Sequence, residues 1–171
     1  APILFSAFSE CLKSKSKLRA ACIYASEDLK QLLQSILKKY PDVEKRIELL
    51  PNTDELGARA VLTSSGTMSL NCALANIPGV VVYRTHPLTY LMGRTLVKVP
   101  YIGIANILLG KPIYPEFVQG AADSKRLAAE ITDCIENVDR IKQTRNWAAE
   151  LRELLDKPRS GGPAEWLLDY W

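Results

Sequence analysis

The sequence predicts an α/β fold, a parallel sheet with helices between its strands, followed by a helical tail. Three observations carry this prediction. Short apolar runs alternate with amphipathic stretches of helical period, the pattern of successive β-α-β units. Capping residues, glycines and prolines fall between them where elements must start or stop. Beyond about residue 120 the helical pattern continues with no further strand-like run. The expected division is therefore a sheet domain over residues 1–120 and a helical tail over residues 121–171.

Residues 3–16 read as a helix, with Ile3, Leu4, Phe5, Phe8 and Leu12 on one side and lysines at its end. Residues 19–24 form a short apolar run, a buried strand. Ser26 is an N-cap followed by two acids, and Leu29, Leu32, Leu33, Ile36 and Leu37 mark the buried face of the next helix. Residues 46–50 are a second strand ended by Pro51, and residues 52–56 a loop or one helical turn. Residues 58–63 are a third strand, and residues 67–76 a helix closed before Pro78. Residues 79–84 are a fourth strand through Val80, Val81, Val82 and Tyr83. A helix over 87–97 and a fifth strand over 101–107 follow, and Gly110-Lys111-Pro112 turns the chain. Residues 123–137 and 139–156 are helices; Ser160-Gly161-Gly162 breaks the pattern before a last short helix over 164–171.

Composition narrows the function classes. With 171 residues, 47% hydrophobic and 24% charged, the chain is an ordinary folded domain and not a disordered one. A net charge of +3 is too small to argue for nucleic acid. Cys11, Cys22, Cys72 and Cys134 form no CxxC or CxxH pair and His86 is the single histidine, which argues against zinc. The cysteines sit in apolar stretches and read as reduced core thiols. The start lacks the basic residues and apolar core of a signal peptide, and no apolar run reaches membrane-spanning length. An amphipathic pattern begins at once after Pro2, so the chain is expected to start inside a larger domain.

Charge is uneven. Residues 56–115 hold five basic residues (Arg59, Arg84, Arg94, Lys98, Lys111) and no acid, whereas the remaining residues hold all 19 acids. Part of this gap comes from buried strands; the rest implies a surface that avoids negative charge, as beside a phosphate or an anionic membrane.

In an open parallel sheet, ligands sit beyond the carboxyl ends of the strands, near helix N-termini. The first candidate is the turn Ser64-Ser65-Gly66-Thr67, between a strand and a helix. Small residues let backbone N–H groups approach a ligand, and the helix start over residues 66–70, Met68 included, leaves such groups unpaired for an anion. Ser65, Thr67 and Ser69 add hydroxyl donors. Taken alone, the string fits an ordinary N-cap as well or better. It is neither a Walker A loop nor a GxGxxG. The second candidate lies after the fourth strand, where Arg84 is placed to clamp an anion and His86 is either an acid–base group or a cap before Pro87. The third is Asn106, a polar residue in an apolar run that needs protein or ligand partners, with Glu116, the first acid after the gap. Asn106 closing a turn and Glu116 capping a helix are the structural alternatives.

Six strings in register carry a resemblance. They are Ser-Ser-Gly-Thr-x-Ser-Leu, Ala-Leu-Ala-Asn-Ile-Pro-Gly-Val-Val-Val-Tyr-Arg, His-Pro-Leu-Thr-Tyr, Leu-Val-Lys-Val-Pro-Tyr-Ile, Asn-Ile-Leu-Leu-Gly-Lys-Pro and Pro-Glu-Phe-Val-Gln, over residues 62–119. Together they resemble the C-terminal half of the lipid-A-disaccharide synthases, and the resemblance covers nearly the whole chain. It implies the Rossmann-like C-terminal half of a GT-B glycosyltransferase. Such enzymes join UDP-2,3-diacylglucosamine to 2,3-diacylglucosamine 1-phosphate in a β-1,6 linkage, with inversion and without metal or other cofactor. This half would hold the UDP part of the donor. Ser65, Gly66 and Thr67, with Met68 and Ser69 on the same helix start, match the phosphate and ribose turn. Tyr83 and Arg84 match the following strand end, and Asn106 and Gln119 match polar residues of the cleft. Asn71 stands where the family usually has a glutamate suited to the ribose hydroxyls, so it can hydrogen-bond there without charge. The family's preceding Gly-Ser-Arg strand end and its N-terminal acceptor domain, with the acidic catalytic residue, are absent from these residues, so the chain alone is expected not to catalyse transfer.

Further expectations follow from the resemblance and the tail. Trp166, Tyr170 and Trp171 mark an interface, either with a second copy through exchange of C-terminal helices or folded back on the same chain. Arg94 and Lys98 fit peripheral contact with anionic lipid on the inner face of a Gram-negative-type inner membrane. Another GT-B or epimerase-like nucleotide-sugar domain, and a non-catalytic assembly or membrane-docking module, are the competing readings.

Overall fold

The structure is a computed structural model and describes residues 1–51, 57–64, 66–84 and 100–156. Ser65, His86, the expected helix at 87–97 with Arg94 and Lys98, the turn at 52–56 and the tail with Trp166, Tyr170 and Trp171 lie outside the described residues.

Helix α1 spans Pro2–Ser14, where the proline at its first turn has no N–H to leave unsatisfied. Strand β1 (Ala20–Tyr24) leads into α2 (Glu27–Leu37), capped as expected by Ser26, whose hydroxyl accepts the Leu29 N–H. A further short helix, α3 (Pro41–Glu44), again opens on a proline and precedes β2 (Ile47–Pro51). Strand β3 (Val61–Thr63), helix α4 (Thr67–Leu74) and strand β4 (Gly79–Tyr83) form the next unit. Helix α5 (Ile104–Leu109), strand β5 (Glu116–Val118), a 3-10 turn (Gln119–Ala121), α6 (Ser124–Glu136) and α7 (Val138–Asp156) complete the described chain.

Two expectations are corrected. Residues 101–107 do not form the fifth strand; helix α5 occupies 104–109 and the strand comes later, at Glu116–Val118. The apolar run fits either element, and helix wins because the Glu116 carboxylate holds the N–H groups of Ile102 and Gly103 just ahead of it and Gly110, at φ 61, closes its end in the left-handed conformation. The leucine face of α2 is also only partly covered: Leu37 is buried, but Leu29 and Leu32 are 45% and 54% exposed. Leu33 and Ile36 pack with Leu37, so the covered stripe is narrower than the apolar one.

The strands form two parallel sheets, β1-β2 and β3-β4-β5. Along β4 the valines alternate. Val81 packs with Cys72 and Ala73 of α4, Ala105 of α5 and Leu151 of α7, while Val80 and Val82 pack with Ala7 of α1 and Leu127 and Cys134 of α6. Helices thus cover both faces of the three-stranded sheet, which is why β4 reads as an unbroken apolar run. Each fully buried side chain of this size contributes roughly 1.5–3 kcal/mol. Helix α1 bridges the two sheets. Ala7, with Ile3 and Leu4 beside it, faces β4, whereas Phe5, Phe8 and Leu12 pack with Cys22 of β1 and Ile47 and Leu49 of β2.

Helices α6 and α7 meet at Asn137, whose side-chain oxygen accepts the Asp139 and Arg140 N–H groups. Arg140 then donates to Glu130 (2.6 Å) and Asp133 (2.8 Å) of α6 and to the Gly79 carbonyl at the start of β4 (3.3 Å). A half-buried guanidinium with three acceptors ties both helices to the sheet.

Candidate functional site

Parallel pairing brings three chain segments to one edge. Thr63 lies beside Val81 and Tyr83 beside Val118, so the residues that follow β3, β4 and β5 emerge together at the carboxyl ends. These are the turn beginning at Ser64, then Arg84, then Gln119.

The turn is shaped by Gly66. Its φ of 113 and ψ of −163 belong to a region that residues with a Cβ rarely occupy. Among the described residues no atom lies within 4 Å of where a Cβ would stand, so the requirement there is conformational. Helix α4 starts here on Gly66, and among the described residues no side chain caps it. Ser69 is fully buried, and both its N–H (3.1 Å) and its hydroxyl (2.8 Å) donate to the Gly66 carbonyl. The expectation of a ligand-facing hydroxyl at Ser69 is thereby corrected: the residue braces the first helical turn from inside. Met68 also turns inward, packing its side chain on the cluster around Cys72 and Ala73, so it can offer a ligand only its backbone N–H. Thr67 and Asn71 are both exposed and, four residues apart, share one helix face.

Among the described cations of the acid-free window, Arg84 is the one at this edge, exposed just beyond β4. Arg59 instead donates to the Ile135 carbonyl (3.1 Å), and Lys111 pairs with Glu150 of α7. Gln119 is held at φ 53, a left-handed conformation uncommon outside glycine, at the start of the 3-10 turn after β5. Such strain, of order 1 kcal/mol, persists where the surroundings fix it.

Asn106 stands differently. It is fully buried, and its amide donates to the Tyr114 carbonyl (2.7 Å) and to Glu116 (2.8 Å) while accepting the Tyr114 N–H (2.9 Å). Every hydrogen of the amide is engaged by protein. The Glu116 carboxylate accepts further bonds from the N–H groups of Ile102 and Gly103 at the start of α5. A carboxylate on unpaired N–H groups at the positive end of a helix is a favourable arrangement. The pair therefore bolts α5 to β5 behind the strand-end edge, and Asn106 is corrected from a cleft-lining residue to a support. Its sequence signals were a lone polar residue in an apolar run, which left protein and ligand partners equally open, and Glu116 as the first acid after the gap.

Burial pushes all four thiols up, Cys134 to about 11, which suits core packing and not nucleophilic chemistry. Among the described residues no cluster of His, Cys, Asp or Glu is placed to hold a metal, and no helix is long and apolar enough to cross a membrane. An open concavity of about 540 Å³ lies between α1 and α6, lined by Glu10, Ser14, Thr132 and Asp133 among others, and includes none of the strand-end residues. Chemically, the strand-end edge offers N–H groups, one guanidinium and neutral polar groups, a set suited to seating an anion.

Comparison with known proteins agrees in direction. Residues 1–164 match the family model described as lipid-A-disaccharide synthetase. The chain is 32% identical to the lipid-A-disaccharide synthase of Neisseria meningitidis serogroup C over 160 residues, 92% of this chain and 42% of that protein. It is 42% identical over 101 residues to that of Syntrophus aciditrophicus, 59% of this chain and 26% of the relative, and 41% identical over 106 residues to that of Geobacter metallireducens, 62% and 27%. The chain thus spans between about a quarter and two fifths of the length of these relatives.

Proposed function

Since the chain belongs to the lipid-A-disaccharide synthetase family, we propose that it is the donor-binding part of a glycosyltransferase of lipid A biosynthesis. It would seat the diphosphate of UDP-2,3-diacylglucosamine at the edge formed by Gly66–Thr67, Arg84 and Gln119. The observation that carries this reading is the start of α4 at Gly66, where no described side chain supplies a cap, with exposed Arg84 at the same strand-end edge and no acid in the surrounding sequence window. Inverting transfer requires a base on the acceptor and stabilisation of the departing diphosphate. This part supplies the second. The N–H groups of Thr67 and Met68 and the Arg84 guanidinium are aimed where negative charge grows, and Thr67 and Asn71 face the ribose. The acceptor and its base belong to another domain, so the chain alone binds without turning over. The same reading places it at the inner face of a Gram-negative-type inner membrane, in peripheral contact with anionic lipid.

The test is ligand-observed and amide NMR with UDP. A dissociation constant near 1 mM, about 4 kcal/mol of binding, is expected, with shifts at Gly66–Asn71 and Arg84. Arg84→Ala should weaken binding about tenfold, the typical worth of one charge-assisted contact. Millimolar UDP that moved none of these amides would overturn the assignment.

A further inference from the structure

We infer that the face at the amino ends of β1 and β2 is a docking surface for an acidic segment of a soluble partner protein. Three helices end on this face, α1 at Ser14, α2 at Leu37 and α3 at Glu44, and both strands start from it. The segments that form it, residues 13–19 and 38–46, hold eight of the 22 cations and two of the 19 acids. Their net charge is +6 (8 − 2), against +3 for the whole chain. Helix ends attract cations, but each offers only roughly half a negative charge, so three of them leave most of this excess unanswered.

Pairing within the protein answers little more. Lys13 bonds to Glu10 and Lys15 to Glu136. Lys17, Arg19, Lys38, Lys39, Lys45 and Arg46 are exposed, and among the described residues none of them is in an ion pair, although Asp42 and Glu44 lie on α3. Ala20 stands beside Ile47 and donates its N–H to the Arg46 carbonyl (3.0 Å), so Arg19 and Arg46 enter the sheet side by side. Like charges on neighbouring strands cost stability, a cost with no return inside the fold.

Shape and composition choose the partner. The turn Lys15–Leu18, closed by the Leu18 N–H on the Lys15 carbonyl (3.0 Å), borders an open concavity of about 370 Å³ lined by residues 14–18. A flat bilayer meets only the rim of such a hollow, and among the described residues no large apolar side chain of these segments is exposed to insert into lipid. Stacked bases need a free aromatic face, but the Tyr40 ring packs edge-on against Phe5 with centroids 6.0 Å apart, and its hydroxyl accepts from Ser6. A protein segment bearing carboxylates can enter the hollow, offer both oxygens to a guanidinium and pair with the flanking lysines. None of these residues belongs to the strand-end edge at Gly66, so the inference holds whether or not that edge takes a nucleotide.

The test is amide NMR at an ionic strength of about 0.15 M, where exposed charges more than about 8 Å apart are largely screened. The probes are a blocked glutamate-rich peptide, its glutamine counterpart, phosphatidylglycerol vesicles and a single-stranded RNA oligonucleotide. The glutamate peptide is expected to shift the amides of residues 15–19 and 45–47 and to bind about tenfold or more tighter than each of the other probes. Arg19→Glu, which sets a carboxylate beside Arg46, should weaken that binding about tenfold while the melting temperature holds or rises, whereas loss of a merely structural arginine would lower it. Lys17→Glu, in the exposed turn, should give the same loss and serves if Arg19→Glu does not fold. Equal binding of the glutamate and glutamine peptides would overturn the inference. So would tighter binding of vesicles or RNA, or peptide binding left intact by these variants.

Discussion

At the scale of single residues, the glycine of the strand-end turn and the asparagine behind it have separable roles. Gly66→Ala forces a Cβ into its conformation and should cost about 2 kcal/mol in chemical denaturation, with loss of the UDP-induced shifts. Asn106→Asp removes both donors of the amide and sets a second carboxylate against Glu116. It should cost at least about 3 kcal/mol, while a variant refolded in stabilising salt should retain the position of the Gly66 amide signals. Gly66 was legible in the sequence because a strand, a run of small residues and a helix start follow one another locally. Asn106 was not, because its partners Tyr114 and Glu116 are 8 and 10 residues away and no local pattern tells a ligand-facing amide from one satisfied by backbone.

At the scale of elements, local capping proved readable and distant capping did not. Ser26 was visible as an N-cap and caps as expected, while Asp123, read as the first residue of a helix, stands just before α6 and caps it by accepting the Lys125 and Arg126 N–H groups. Asp123→Ala should lower stability by about 1 kcal/mol in thermal unfolding. Helix α5 was misread as a strand because its cap, Glu116, arrives from the following strand. Helix α6 also carries Cys134, whose burial raises its thiol pKa to about 11. The folded state then keeps a proton that the unfolded chain releases above its ordinary value near 9.0. Stability from this group is complete below that value and is lost as pH climbs through about 11. Cys134→Ala should flatten the alkaline limb of a stability–pH profile by roughly 3 kcal/mol, on the scale of 1.36 kcal/mol per pH unit.

At the scale of the whole molecule, the parallel sheet, its covered faces and the gathering of polar groups at its carboxyl ends were legible, since each follows from the order of apolar runs and caps. The division into two sheets was not, because strand pairing depends on which edges meet. The Arg140 node adds an acid-sensitive link between layers. Its hydrogen bond to Asp133 holds that carboxyl below its usual range, so the group favours folding above its ordinary pKa and loses that contribution as pH falls through the depressed value. Arg140→Lys should lower stability near neutral pH and flatten the acid limb of a stability–pH profile followed by far-UV circular dichroism, because an ammonium cannot reach Glu130, Asp133 and the Gly79 carbonyl with one planar fork and so holds Asp133 less far down. Truncation at Pro158 should leave that profile intact while changing the mass in light scattering if C-terminal helices exchange between copies. Finally, α1 docks on α6, where the Cys11 thiol donates to the Ala128 carbonyl 117 residues further along the chain. During synthesis at about 5–20 residues per second, the apolar side of α1 therefore waits roughly 6–23 s for its lid to be made. Throughout that interval the nascent chain displays Ile3, Leu4 and Ala7 as a holdase client.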